Sequence, residues 1–220
     1  EKRYSSGHAA AVAVDGSGNV VVTGTSYATN YTTDFYTAKY ATADGALLYV
    51  ACARPSSVVE VYEVATGKKL RSLPAGHTAL SPVLSADGRT LYLCNRFDNE
   101  VAFLDTATGE TKQRVKVPRE PFALALTPDG KRLVVANHLH NGRADADHVS
   151  AVMSIVDVAG AKVEKNIVLP NGSGLLRGVA VSPDGKHAAV AHQISRYHLP
   201  TTQIERGWIG VIWMGFGAAA

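Results

Sequence analysis

The chain has 220 residues, 46% of them hydrophobic, and a formal net charge of +3. That apolar content is enough to bury a substantial core as one domain or one repeat array. Lysine and arginine are scattered without a basic run, which leaves a nucleic-acid partner unsupported, and no apolar run approaches the roughly 18 residues of a membrane-spanning helix.

The start at Glu1 shows no charged-then-apolar signal segment. Ala9 to Tyr40 is β-like throughout but too short for four strands before the next unit begins. Tyr36 to Ala43 is therefore expected to be the last strand of one unit or the first of the next. Turn signals follow at Asp15-Gly16, Asp44-Gly45, Asp87-Gly88, Asp129-Gly130 and Asp184-Gly185, spaced 29, 43, 42 and 55 residues apart. A recurring period of about 40 to 50 residues is that of a four-stranded propeller blade. Asp-Gly suits its hairpins because the turn needs positive φ, which glycine adopts without a Cβ clash.

One unit shows the order plainly. Ala79 to Leu84, Arg89 to Asn95, Glu100 to Asp105 and Thr111 to Val117 read as its four strands, with a Thr108-Gly109 turn before the last. Short β-branched and apolar runs with punctuation between them predict an all-β fold, and the long period selects a β-propeller of four-stranded antiparallel blades. The 55-residue spacing contains ten extra residues between Asn137 and Asp157, and a smaller insertion at Pro170 to Gly174. After His192 a third strand is expected around Trp208 to Met214, and 210–220 reads as an irregular tail. The chain holds about five blades' worth of sequence over 1–220. Either a small ring closes by pairing its terminal strands or the chain is part of a larger ring. Cys52 and Cys94 fall on strands expected to be buried and read as core, with a disulfide between neighbouring blades as the alternative.

Blade geometry sorts the polar residues. Hairpins between strands one and two, and three and four, project at one face; the other connections project at the opposite face. That loop face is expected to collect His77, Arg96, Arg119, His138, His140, His148, Arg177, His192, Arg196 and His198, including six of the eight histidines. Loops on a rigid scaffold are where binding sits. Arg96, Arg119, Arg177, His192, Arg196 and His198 are candidate ligand-binding residues, suited to an anion or to acidic groups of a docked protein. His138, His140 and His148 are candidate metal ligands, since His-x-His on an extended segment puts both rings on one side and imidazole with carboxylate suits zinc, copper or iron. The alternative is a polar loop whose side chains bond to one another and to backbone. His192 stands where other repeats have Asn95 and Asn137, a place for a backbone-capping group. Covalent-haem, phosphate-loop, nucleophile-elbow and paired-cysteine zinc motifs are absent, so no cofactor is required by any motif and no catalytic constellation is visible.

TPDGKRLVVAN, AFLDTATGE and LSADGRTLYLCN resemble the YVTN-type bacterial β-propeller repeat, over Ala41 to Ile209. Ala9 to Tyr40, with DGSGNVVVTGTS and DFYTAKY, is similar to the SBBP propeller repeat, making 1–40 one blade and 41–209 the rest. RYHLPTTQIERGW looks like propeller segments that accompany di-haem cytochrome modules. The resemblance implies a periplasmic or extracellular location. It also implies two functional expectations: a scaffold or binding module whose His/Arg face takes a protein or small ligand, or a redox or metal-dependent protein associated with a cytochrome-type module. In the second, an axial histidine would come from His138, His192 or His198.

Overall fold

The computed structural model describes residues 7–14, 20–27, 33–41, 47–143, 145–195 and 210–218, with side chains described for 47–143 and 145–195. These residues form seventeen strands and no helix, so no helix is long and apolar enough to cross a membrane. The chain divides into two compact units, Glu1–Arg114 and Val115–Ala220.

In the first unit, β1 (Gly7–Val14), β2 (Val20–Tyr27), β3 (Thr33–Ala41), β4 (Leu47–Cys52), β5 (Val58–Glu63) and β6 (Lys69–Pro74) make one antiparallel sheet in chain order. The strand expected to serve one unit or the next serves both. β3 pairs with β2 from Tyr27↔Thr33 to Val21↔Lys39 and with β4 from Tyr36↔Cys52 to Ala41↔Leu47. The expectation of four-stranded blades throughout is corrected here, because the first two repeats merge into six strands. With a strand missing at the join, pairing on both edges satisfies backbone groups that would otherwise be bare.

β7 (Ala79–Leu84), β8 (Thr90–Asn95), β9 (Glu100–Asp105) and β10 (Thr111–Lys116) form a four-stranded sheet in the order β10-β9-β8-β7, within a residue of the expected bounds. The central strands β8 and β9 are buried along nearly their whole length, whereas the outer β10 buries only Val115. A strand covered on both faces reads as a continuous apolar run, as TLYLCN does. The core of this unit joins Tyr49, Ala51, Val59 and Val61 of the first sheet to Leu91, Leu93 and Leu104 of the second. Each such leucine contributes about 1.5–3 kcal/mol by leaving water.

The second unit holds β11 (Pro121–Leu126), β12 (Arg132–Asn137), β13 (Val152–Asp157) and β14 (Lys162–Val168) as a four-stranded sheet. β15 (Ser173–Val181), β16 (His187–Ser195) and β17 (Gly210–Ala218) form a three-stranded one. Val134, Ala136, Met153, Ile155, Leu176 and Val190 share its core. The stretch read as an irregular tail is corrected: Gly210 to Ala218 pairs residue for residue with Ser195 to His187. The repeat motif ends before Gly210, but the ladder needs only extended backbone and an open edge. Cys52 and Cys94 are both free thiols, so the inter-blade disulfide is not formed. Cys94 is buried as expected, while Cys52 is half-buried.

The Asp-Gly turns work as their residues dictate. Gly88, Gly130 and Gly185 adopt φ of 69°, 71° and 71°. In each turn the aspartate accepts from the hydroxyl two residues earlier and from the amide two residues later: Ser85 and Arg89, Thr127 and Lys131, Ser182 and Lys186. Nine residues before each aspartate, just before the first strand of the repeat or near its start, stands a left-handed residue that is not glycine. These are Thr78, Glu120 and Leu175, at φ of 53°, 49° and 51°.

Candidate functional site

At the ends of β8 and β12 the sequence closes each strand with a buried asparagine. Asn95 is fully buried; its Oδ1 accepts from the Gly76 amide at 3.2 Å and its Nδ2 donates to Glu100 Oε1 at 3.0 Å. Glu100 is itself buried and pairs with Arg114. This network fixes the crossover that carries His77, whose amide donates to Asp98 Oδ2 at 2.7 Å. His77 meets the Phe97 ring edge-on, with centroids 5.1 Å apart, and the Arg96 guanidinium lies 4.8 Å above the same ring. Phe97 is 50% exposed, so the first unit presents a cation-capped aromatic at this end.

The second unit builds a similar stack from different residues. Phe122 is stacked on His138, centroids 4.9 Å apart and planes 25° from parallel, and the Arg177 guanidinium lies 5.9 Å from the Phe122 ring. The pairing of β15 with β16 breaks between Gly174 and Gly178, so Leu175, Leu176 and Arg177 bulge opposite His192. Leu176 turns inward and is fully buried, while Leu175 and Arg177 are exposed. His138 clamps the bulge from both sides: its carbonyl accepts from the Leu176 amide at 3.2 Å and its Nδ1 donates to the Leu176 carbonyl at 3.0 Å. Arg119 is exposed and donates to the His140 carbonyl at 3.3 Å.

The three candidate metal ligands are not brought together. Among the described residues no group of three or more His, Cys, Asp or Glu side chains gathers to hold a metal ion. His138 is buried and committed to the bulge, and His140 is half-buried. His148 is exposed, with Nε2 lying 3.1 Å from both the Leu169 carbonyl and Ser150 Oγ. Arg143 grips Asp145 through two hydrogen bonds. The polar-loop alternative describes this segment, and the two insertions brace one another. Asn171 accepts from the Val149 amide at 2.8 Å and donates to the Asp147 carbonyl at 3.0 Å.

His192 occupies the position of Asn95 and Asn137 and is likewise buried, at 5% exposure. Its Nδ1 has no hydrogen-bond partner among the described residues. Burial pushes its pKa below the usual imidazole range, so the ring is neutral near pH 7. Arg196 and His198 lie outside the described residues. Sequence reasoning missed Phe97, Phe122 and Leu175, because an apolar side chain beside a strand reads as core; only Arg96 next to Phe97 was a signal. A cleft of about 250 Å³ lies at the opposite end of the second unit, lined by Asp129, Arg132, Asp184 and Lys186 above Val134 and Ile155. That end was expected to be structural, and both carboxylates are engaged in their own turns.

No family model matches the chain, and no curated protein does. Among solved structures it is similar to Kuenenia stuttgartiensis hydrazine synthase, at 23% identity and a TM-score of 0.73, over 95% of this chain and 62% of that one. It is also similar to a functionally unknown protein from Desulfotomaculum acetoxidans, at 16% identity and a TM-score of 0.57, over 84% of this chain and 65% of that one. The chain thus spans less than two thirds of the length of either. These likenesses support a β-propeller-like all-β fold.

Proposed function

We propose that the chain is an exported binding module of the YVTN-type β-propeller kind, in the periplasm or outside the cell, whose blade-end loops dock a protein or small ligand. Its sheets are blades, completed into a ring by its own terminal strands or by further blades. One contrast carries the reading. Arg114, Arg132 and Arg143 are each paired with a carboxylate, whereas the exposed Arg119 and Arg177 have no carboxylate partner among the described residues. A guanidinium held over an aromatic ring and left without an anion keeps its N–H edge for an incoming one. The test is affinity capture with the wild type, with joint Arg96→Ala, Arg119→Ala and Arg177→Ala, and with joint Arg89→Ala, Lys131→Ala and Lys186→Ala at the turn end. Partners lost only from the first variant support the reading; partners kept by it, or lost equally from both, refute it.

A second reading, a redox or metal-dependent protein acting with a cytochrome-type module, is favoured by the buried His192 nitrogen, which has no partner among the described residues, and by the likeness to hydrazine synthase. A neutral imidazole nitrogen is a ligand for a metal or haem iron. Metal analysis and an absorption spectrum of the purified protein test it. A stoichiometric metal or haem lost in His192→Asn supports this reading, and a protein free of both overturns it.

A further inference from the structure

Leu175 combines a left-handed backbone with an exposed apolar side chain. It holds a left-handed backbone conformation at φ 51°, which a γ-branched side chain adopts only with strain, and it is 38% exposed to water. The matching left-handed positions of the other repeats carry Thr78 and Glu120, both polar. Among the described residues Leu176 supplies the inward anchor and His138 holds the backbone, so neither task falls to Leu175. The backbone conformation is common to the three repeats, so what sets this one apart is an apolar side chain at the surface beside two arginines.

The surroundings say what covers it. β15, which carries Leu175 and Arg177, packs against β11, which carries Phe122, and Arg119 lies just before β11. Both arginines are exposed and neither meets a carboxylate among the described residues. Exposed Leu175, Arg119 and Arg177 present a surface, which suits a macromolecule more than a small molecule that needs enclosure. We propose that Leu175, with Phe122 beneath Arg177 and the neighbouring Arg119, anchors an acidic protein segment carrying an apolar side chain. The leucine takes the apolar group, the ring seats the Arg177 guanidinium, and the guanidiniums take flanking carboxylates. This rests on the loop-end reading above and names the partner's chemistry.

The probe is a short fluorescent peptide of alternating glutamate and leucine, titrated into the full chain at low salt, with polyglutamate and free glutamate as comparators. Leu175→Asn is the decisive variant, because asparagine tolerates the left-handed conformation. It is expected to raise Tm by a few degrees while weakening peptide binding about tenfold. Joint Arg119→Ala and Arg177→Ala is expected to weaken binding at least as much, and added salt to weaken it further. Polyglutamate should bind less tightly and should not sense Leu175→Asn.

Unchanged peptide affinity in Leu175→Asn, with loss in the arginine variant, overturns the anchor and leaves the loop-end reading standing. No loss in either variant overturns both. A fall in Tm refutes the strain argument, and competition by free glutamate as strong as by the peptide makes the occupant a small carboxylate instead. If light scattering shows a dimer of the wild type that Leu175→Asn dissolves, the occupant is a second copy of this chain and the acidic-partner assignment fails.

Discussion

Gly76→Ala is the substitution whose cost follows most directly from the geometry. A Cβ at position 76 would lie 2.3 Å from Asn95 Nδ2, 2.4 Å from Asn95 Cγ and 2.6 Å from Asp98 Oδ2. Asn95 is fully buried, so its amide cannot swing into solvent. It must give up its bonds to the Gly76 amide and to Glu100, and Asp98 must release the His77 amide. A neutral hydrogen bond contributes about 1 kcal/mol and one to a charged group about 1.5–3 kcal/mol. The three together come to about 4–7 kcal/mol, of which up to about 1 kcal/mol is offset by the lower unfolded-chain entropy of alanine. The assay is a urea titration read by hydrogen exchange on peptides covering β7 to β9, which isolates the first unit. With a slope near 2 kcal/mol per molar, the midpoint should fall by about 1.5–3.5 M. Gly178→Ala, where no atom lies within 4 Å of the added carbon, should stay within about 0.5 kcal/mol of the wild type on the second unit's peptides. A Gly76→Ala midpoint within about 0.3 M of the wild type would refute the close-packed network.

Other outcomes follow from the second unit. Leu176→Ala removes a fully buried side chain and should cost about 2–5 kcal/mol in a urea melt of that unit; a cost under about 1 kcal/mol would show that the bulge is not anchored there. His192 has its folded pKa below its unfolded value because of burial. The unfolded state therefore binds the proton first, and stability present above about pH 6.5 is lost as pH falls below it. His192→Asn, which restores the residue of the other repeats, should flatten this slope between about pH 7 and 5 in thermal melts; an unaltered slope would assign it elsewhere. Asp87, Asp129 and Asp184 are held below the usual carboxylate range, chiefly by the hydroxyl two residues earlier. Ser85→Ala, Thr127→Val and Ser182→Ala together should raise all three pKa values in a carboxylate NMR titration. They should also remove stability that the wild type holds above about pH 4 and loses on acidification.

The strands from β7 to β10 were legible because alternation, apolar runs and glycine turns all pointed the same way, and the Asp-Gly spacing located them to within a residue. The six-stranded merger was not, because which edges β3 pairs with is decided by what else lies open, not by its own residues. Thr78, Glu120 and Leu175 share one backbone conformation but no residue type that announces it, and only their common offset from the turn aspartates, once the angles are known, reveals the set. Blade geometry led to the expectation of His77, Arg96, Arg119, His138 and Arg177 at one loop end, and Arg177 lies within β15. Their contacts were not readable: His138, a candidate metal ligand, clamps Leu176. Nor did periodicity show that an arginine would be seated on Phe97 or Phe122. The lengths of the two insertions were readable, but their joining through Asn171 is a contact between distant segments.

Arginine-selective footprinting by mass spectrometry, on the chain alone and loaded with the captured partner, addresses the docking surface most directly. The account predicts that Arg119 and Arg177 become protected in the complex while Arg89 and Arg132, at the turn end, react as before. Protection of Arg89 and Arg132 with Arg119 and Arg177 unchanged would contradict it.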